Sequence, residues 1–365
     1  MMIFLFLILF ILLIVWARRY IGERPKASTS NGAIIMAGGI LINGAMKKMP
    51  VLAHLLSHCL ALALLPVIGW LAIEYGRDAR DGSFVQRHLS NPVSSFGTGT
   101  WIAALSVTAV SLKSTWPGLK PAAELLLSLS VVLLIPFILL VIRNYVCLFK
   151  EPERRKNLNG TLLLGCVAVQ SVVISAAALL KEPALHGVFI WMIILGGLLY
   201  LLGFASILSS LIKQKKIDLQ NGWTNTNVIV HGAVSITGLA AVSAPIKDPD
   251  LAATFWLLAT VLILIVEGIE LARAGVRVHA KGWSKGLFSY HPSQWSRNFT
   301  LGMYIAFTIK APLTSSFLSG STVSVVQHQI IGIGKYVVLI LFVIELFLGL
   351  KHLMLLGGRK MVEVG

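Results

Sequence analysis

Apolar positions run along this chain in long blocks, and the blocks alternate in texture. Five times, an apolar segment dotted with Gly, Ala, Ser and Thr is followed by a greasier one dominated by Leu, Ile and Val. The first members begin at Asn31 (NGAIIMAGGILINGAM), Asn91 (NPVSSFGTGTWIAALSVTAVS), Asn159 (NGTLLLGCVAVQSVVISAA), Asn225 (NTNVIVHGAVSITGLAAVS) and Asn298 (NFTLGMYIAFTIK). The second members cover 51–75, 122–145, 187–212, 251–273 and 330–356. Most segments have about 17 to 25 residues, the length that carries a helix across a hydrocarbon core of about 30 Å. Lipid offers no hydrogen-bond partners to open backbone, so the pattern predicts helices. Small and polar residues suit helices that press together or line a wet path, and uniform aliphatics suit lipid. The first members are therefore predicted to form an inner ring and the second members an outer one, a hairpin repeated with a period of roughly 65 residues.

Composition agrees. With 56% hydrophobic and 13% charged residues and a mean hydropathy of +0.82, too little polar surface remains to cover a soluble globule. A 17-residue apolar run opens the chain and carries no charge until Arg18 and Arg19. A secretory signal places its charge before the apolar stretch, so this run reads as an uncleaved anchor helix over residues 1–20, followed by a ten-helix domain over 29–357 and a tail over 358–365. Of the 31 Lys and Arg residues, 23 follow the anchor or one of the second members. The positive-inside rule then puts those loops and the C-terminus in the cytoplasm and the N-terminus outside, in a multi-pass protein of the cell membrane. On this reading the net charge of +16 is a topogenic signal and points to no nucleic-acid partner.

The three cysteines, Cys59, Cys147 and Cys166, lack CxxC spacing and predict neither a disulfide framework nor a metal centre. No nucleotide motif or soluble domain is evident, so neither an enzyme nor a cofactor is expected. One pair points elsewhere: His54 and His58, at i and i+4, share a helix face in a spacing that suits haem or metal, with His231 as a third ligand, and this defines the alternative reading of a membrane redox protein.

Short motifs, in order along the five-hairpin frame, carry a family resemblance. MAGGIL at 36–41 looks like the Gly-rich segment of a first helix, NPVSSFGTGT at 91–100 resembles the His/Asn-Pro-Val and Gly-Thr opening of a third, and WSRNFTL at 295–301 resembles the Trp-Ser-x-x-Phe-x-Leu stretch of a ninth. Over about 31–356 the chain thus resembles the tellurite-resistance and dicarboxylate transporter superfamily, which includes slow-type anion channels, malate permeases and sulfite efflux pumps. The resemblance implies five hairpins in quasi-fivefold symmetry around a central pore, small anions as cargo, a homotrimer, and a pore-plugging phenylalanine that lands on Phe299. It departs from the family in having Thr300 after Phe299 and no central proline in an inner helix, while Pro66 and Pro136 fall in outer ones.

An anion crossing lipid sheds water, and hydroxyls, amides and backbone N–H groups must replace it without holding it. The inner segments supply Thr98, Thr100, Ser106, Gln170, Ser171, Ser175, Asn227, His231, Ser235, Thr237 and Thr308 as pore-lining candidates, with Gly38, Gly39, Gly97 and Gly99 bringing backbone toward the axis. Any one of them also suits plain inter-helix packing. Phe96 and Phe307 are lesser gate candidates beside Phe299. His231 and Glu345 are the candidates for proton coupling, which would make a carrier rather than a channel; Glu345 also suits a bond to a neighbouring helix, and Glu267 and Glu270, near the cytoplasmic end of their span, are expected to meet Arg273 or to snorkel to water.

Overall fold

The computed structural model describes residues 26–358 except 156–157, 215–217, 221, 245 and 247, so the predicted anchor at 1–20 lies outside the described residues. Within them no strand occurs, and ten principal helices follow the five predicted pairs. They are α1 Gly32–Asn43, α2 Pro50–Arg80, α3 Gly99–Thr115, α4 Lys120–Lys150, α5 Leu164–Leu179, α6 His186–Lys213, α7 Ile229–Ser243, α8 Pro249–Gly286, α9 Trp295–Lys310 and α10 Ser321–Gly358.

Local chemistry sets the starts. Before α3, the Asn91 side chain accepts from the N–H groups of Val93 and Ser94, both at 2.9 Å, and before α5 Asn159 accepts from Thr161 at 3.0 Å. Four of the five odd-numbered helices open through a short 3₁₀ turn, namely Ser94–Thr98, Gly160–Leu163, Asn225–Val228 and Pro292–Gln294, so the repeat extends to backbone geometry. Asp248 caps α8 by accepting from Asp250 and Leu251, with Pro249 at the first helical position.

The helices run past the apolar blocks that predicted them. Hydropathy falls off after Arg273, yet backbone bonding continues α8 to Gly286, with a break at Gly282, whose φ of +72° only glycine tolerates easily. Helix α2 contains a π-helical turn at Ala53–Ser57 and then Pro66, which removes one backbone donor. Among the described residues, eight helices, counted with their opening turns, are long and apolar enough to cross a membrane. Helix α1 has 12 residues and rises about 18 Å at 1.5 Å per residue, and α9 has 16.

Packing separates the two members of each pair as their textures predict. Helix α1 packs on α3, α3 on α5, α5 on α7, α7 on α9, and α9 returns to α1, while each also packs on its even-numbered partner. The apolar stretches of α3, α5 and α7 are 83% buried, against 28% in α2, α4, α6 and α8 and 11% in α10. On α4 the exposed residues Leu125, Leu129, Val132, Ile135, Leu139, Ile142 and Val146 form one helical stripe, which lipid can cover and water would not favour.

Glycines permit the inner contacts. A Cβ on Gly160 would sit 1.9 Å from the Thr226 carbonyl oxygen, and one on Gly99 2.8 Å from that of Leu164. The glycines predicted to open backbone toward the axis are occupied by neighbours instead: Gly38 abuts Leu64 of α2, Gly39 abuts Val107 of α3, and Gly97 abuts Ser30. Their lack of a side chain is used for helix approach, the stronger demand where apolar surfaces meet without water.

Candidate functional site

One cavity of about 50 Å³ takes its wall from every odd-numbered helix: Ile40, Asn43 and Lys47 from α1 and the turn after it, Ala103, Ser106, Val107 and Val110 from α3, Ser171 and Ile174 from α5, Ile236 and Leu239 from α7, and Phe299, Met303, Ala306 and Lys310 from α9. The α9 contribution steps by four, three and four residues, one face of a helix, and so aligns Phe299 with Lys310 along the cavity. Phe299 is only 3% exposed. The space exceeds the roughly 10–15 Å³ that admits one water but is mostly walled by apolar side chains, so it disfavours a hydrated ion.

Polar groups enter at defined points. The Ser106 hydroxyl is buried without a protein partner, and Ser171 donates to the Ala168 carbonyl at 2.8 Å. Asn43 donates its amide to Ser111 Oγ at 2.9 Å and the Val107 carbonyl at 3.2 Å, leaving its own carbonyl oxygen unpartnered. At the end where α1 and α9 finish, Lys310 donates to Ser243 Oγ at 3.3 Å. Lys47 stays exposed at this mouth while the surrounding protein crowds out enough water to hold its ammonium below the usual lysine range. Two ammonium groups at one mouth raise the local concentration of anions.

Of the residues predicted to line a pore, Ser106, Ser171 and Phe299 meet at this cavity. The others turn elsewhere. Thr98, Thr100, Ser175, Ser235 and Thr237 donate to carbonyls three or four residues back, which satisfies each hydroxyl within its own helix or opening turn. Gln170 reaches outward to the Ile193 carbonyl of α6 at 3.1 Å, and Thr308 accepts from Trp256 of α8 at 3.1 Å. Asn227 accepts from the Gly160 N–H at 2.9 Å and ties the starts of α5 and α7 together. Phe96 packs on Tyr145, and the Phe307 ring covers Gly238, so both are core residues.

The ionisable candidates also lie off the central cavity. His231 is fully buried against Glu267 of α8, with Nε2 at 3.7 Å from the carboxylate, beyond hydrogen-bond length. Glu267 meets Arg297 of α9 rather than Arg273, which pairs with Glu270 at 3.3 Å as expected. Glu345 shows no bond from Oε2 to a neighbouring helix. Of the predicted histidine pair, His54 is exposed, and His58 packs edge-on against Trp116 with ring centroids 5.2 Å apart. Among the described residues no third His, Cys, Asp or Glu completes a metal site with them.

Sequence reasoning passed over Asn43, Lys47 and Lys310. Their signal was positional: each lies on the Ile40 or Phe299 face at helical spacing, so projecting that face would have found them. It also passed over a cluster beneath α1, where His88 bridges Thr29 Oγ1 at 2.9 Å and Asp78 at 3.0 Å, Arg87 takes the other Asp78 oxygen, and Tyr75, Phe84 and Trp101 enclose the imidazole.

A closed cycle of inner helices, a greasy outer layer and a central cavity with a cationic mouth define a multi-pass membrane transport protein. The sequence profile of the SLAC1 family, described as voltage-dependent anion channel, matches residues 1–350, and the chain belongs to that family within the tellurite-resistance and dicarboxylate transporter superfamily. The match takes in residues 1–30, ahead of the motifs that carry the resemblance. No curated protein sequence matches the chain.

Proposed function

We propose that the chain conducts small anions through the cavity at the centre of the five inner helices, with Phe299 as its gate. One observation carries this reading: a single narrow cavity touches α1, α3, α5, α7 and α9 and has a phenylalanine in its wall and lysines at one end. An apolar constriction of this kind dewets and stops ions until the ring moves away. The lysines gather anions at the mouth, and Ser106 and Asn43 offer partial replacement for lost hydration without a fixed cation to trap the ion. In this arrangement all ten helices cross the cell membrane in quasi-fivefold order, the inter-hairpin loops and the C-terminus face the cytoplasm, and the N-terminus lies outside. Short α1 and α9 reach the surfaces through their flanking turns.

Conduction without proton coupling is the better-supported mechanism, because His231 and Glu345 stand away from the central cavity and no carboxylate lines it. Candidate cargoes follow the family's chemistry: dicarboxylates, sulfite or other small anions, and through them a link to tellurite resistance. The protein assembles as a homotrimer by family analogy, each protomer with its own pore. The test is anion flux in proteoliposomes at clamped voltage and equal pH on both sides, repeated with a proton gradient. Flux that follows voltage alone supports the channel; flux that needs the proton gradient overturns it in favour of a carrier.

A further inference from the structure

A second cavity, of about 210 Å³, lies outside the inner ring, between the starts of α7 and α9 and the facing sides of α8 and α10. Glu270, Arg273 and Arg277 of α8 and Arg297 of α9 line it, with Glu345 of α10. The arginines are only partly used. Arg273 donates from Nη1 to Asn225 Oδ1 at 2.6 Å and to Glu270 at 3.3 Å, Arg297 donates from Nη2 to Glu267, and Arg277 reaches Ser289 at 3.5 Å. The Nε donors of Arg273 and Arg297 are buried with no acceptor. Two acceptors at the same cavity, Glu345 Oε2 and Asn298 Oδ1, are buried with no donor. Arg273 and Asn298 are each more than nine-tenths buried, so bulk water does not relieve them.

Unpartnered buried donors and acceptors on residues that line one space, none reaching another, call for a ligand that supplies both kinds of partner. Chloride, nitrate and sulfate only accept hydrogen bonds, and each would press bare negative charge on Glu345. A metal or ammonium ion would suit Glu345, but it accepts no hydrogen bond and would leave the Nε donors of Arg273 and Arg297 unpartnered. An oxyanion that keeps a proton fits both sides, since its bare oxygens accept from Arg273 and Arg297 while its O–H donates to Glu345. We propose that this cavity is an accessory binding site for a proton-bearing oxyanion of the phosphate class, free or as a phosphomonoester headgroup, with Glu345 selecting for the proton. The site is independent of the central cavity and of whatever that cavity conducts.

Phosphate and sulfate test this directly, because at pH 8 both are essentially dianions of similar shape and only phosphate retains an O–H. Calorimetric titration of the full chain in detergent, at matched ionic strength, should show phosphate binding tighter than sulfate by about tenfold or more. Glu345→Gln, whose amide can donate to sulfate, should bring the two within about threefold. Arg277→Gln, at a partly exposed position that leaves the buried pairs intact, should weaken phosphate binding while the melting temperature holds. Phe299→Ala should bind phosphate as the wild type does, so failure of the gate reading would leave this one standing. Nanodiscs of phosphatidylcholine with and without phosphatidate assign the source: loss of phosphate heat in the phosphatidate discs identifies a lipid headgroup, and its persistence identifies the free ion. Equal affinity for phosphate and sulfate in the wild type, or binding of neither, overturns the proposal.

Discussion

Phe299 shares one helix face with Met303, Ala306 and Lys310, and that placement separates two outcomes for its truncation. If the ring closes the central cavity, Phe299→Ala removes a dewetted constriction, and anion conductance should rise well above wild type with a small change in melting temperature. A ring that only packs would cost about 3 to 5 kcal/mol on truncation, so stability would fall and the protein would stay silent. Current and melting temperature measured on the same variant decide between them. Lys47 gives a second residue-scale prediction. Its ammonium is held below the usual lysine range, so it discharges as pH rises before an exposed lysine would, and the mouth then loses positive charge. Anion current should decline as pH rises toward the ordinary lysine range, earlier than an exposed lysine would allow, and Lys47→Gln should start lower at neutral pH and lack that decline. A current flat across this range in the wild type would show that Lys47 does not feed the pore.

Among the elements, inner helices are set by close approach and outer helices by their apolar face. Gly160 and Gly69 expose the difference. A methyl group at Gly160 would collide with the Thr226 carbonyl, whereas nothing lies within 4 Å of a Cβ on Gly69 in α2. Gly160→Ala should destabilise by about 1 to 3 kcal/mol as an overpacked contact, while Gly69→Ala should be neutral or slightly stabilising; equal melting temperatures for the two variants would refute tight packing between the starts of α5 and α7. The Asp78 cluster tests how the segment after α2 is held. Asp78→Ala would leave Arg87 with only the Ala27 carbonyl and His88 with Thr29, a loss of about 1 to 3 kcal/mol for broken hydrogen bonds to a charged group at a partly exposed pair. Thermal unfolding and proteolysis near residue 85 would reveal it, and an unchanged protein would show that the cluster adds nothing.

At the scale of the whole molecule, the pairing of textures is legible in the sequence. Gly, Ala, Ser and Thr mark the helices that pack in a cycle, and branched aliphatics mark those that face outward, because a bilayer rewards that division directly. Cysteine accessibility should reproduce it, with Ala103→Cys and Ile236→Cys reacting with small aqueous thiol reagents once Phe299→Ala opens the cavity and Leu139→Cys remaining inaccessible to them. The opposite pattern would invert the inner and outer assignment. The site was less legible. Composition could nominate hydroxyls on the inner helices, but most of them bond their own backbone, and choosing among them needs the rotation of each helix about its axis. Weak amphipathicity hides that rotation, since an inner helix buried on nearly every side has no polar face to announce the pore. By itself, then, the sequence determined the class, the helices and which member of each pair lies inside, since all of these follow from length and transfer free energy. Only tertiary structure decided that Phe299, Ser106, Asn43, Lys47 and Lys310 share one cavity, that Gln170, Thr308 and His231 face away from it, and that Glu345 lines another with three arginines, because contacts between residues far apart in the chain depend on how five separate hairpins turn toward one another.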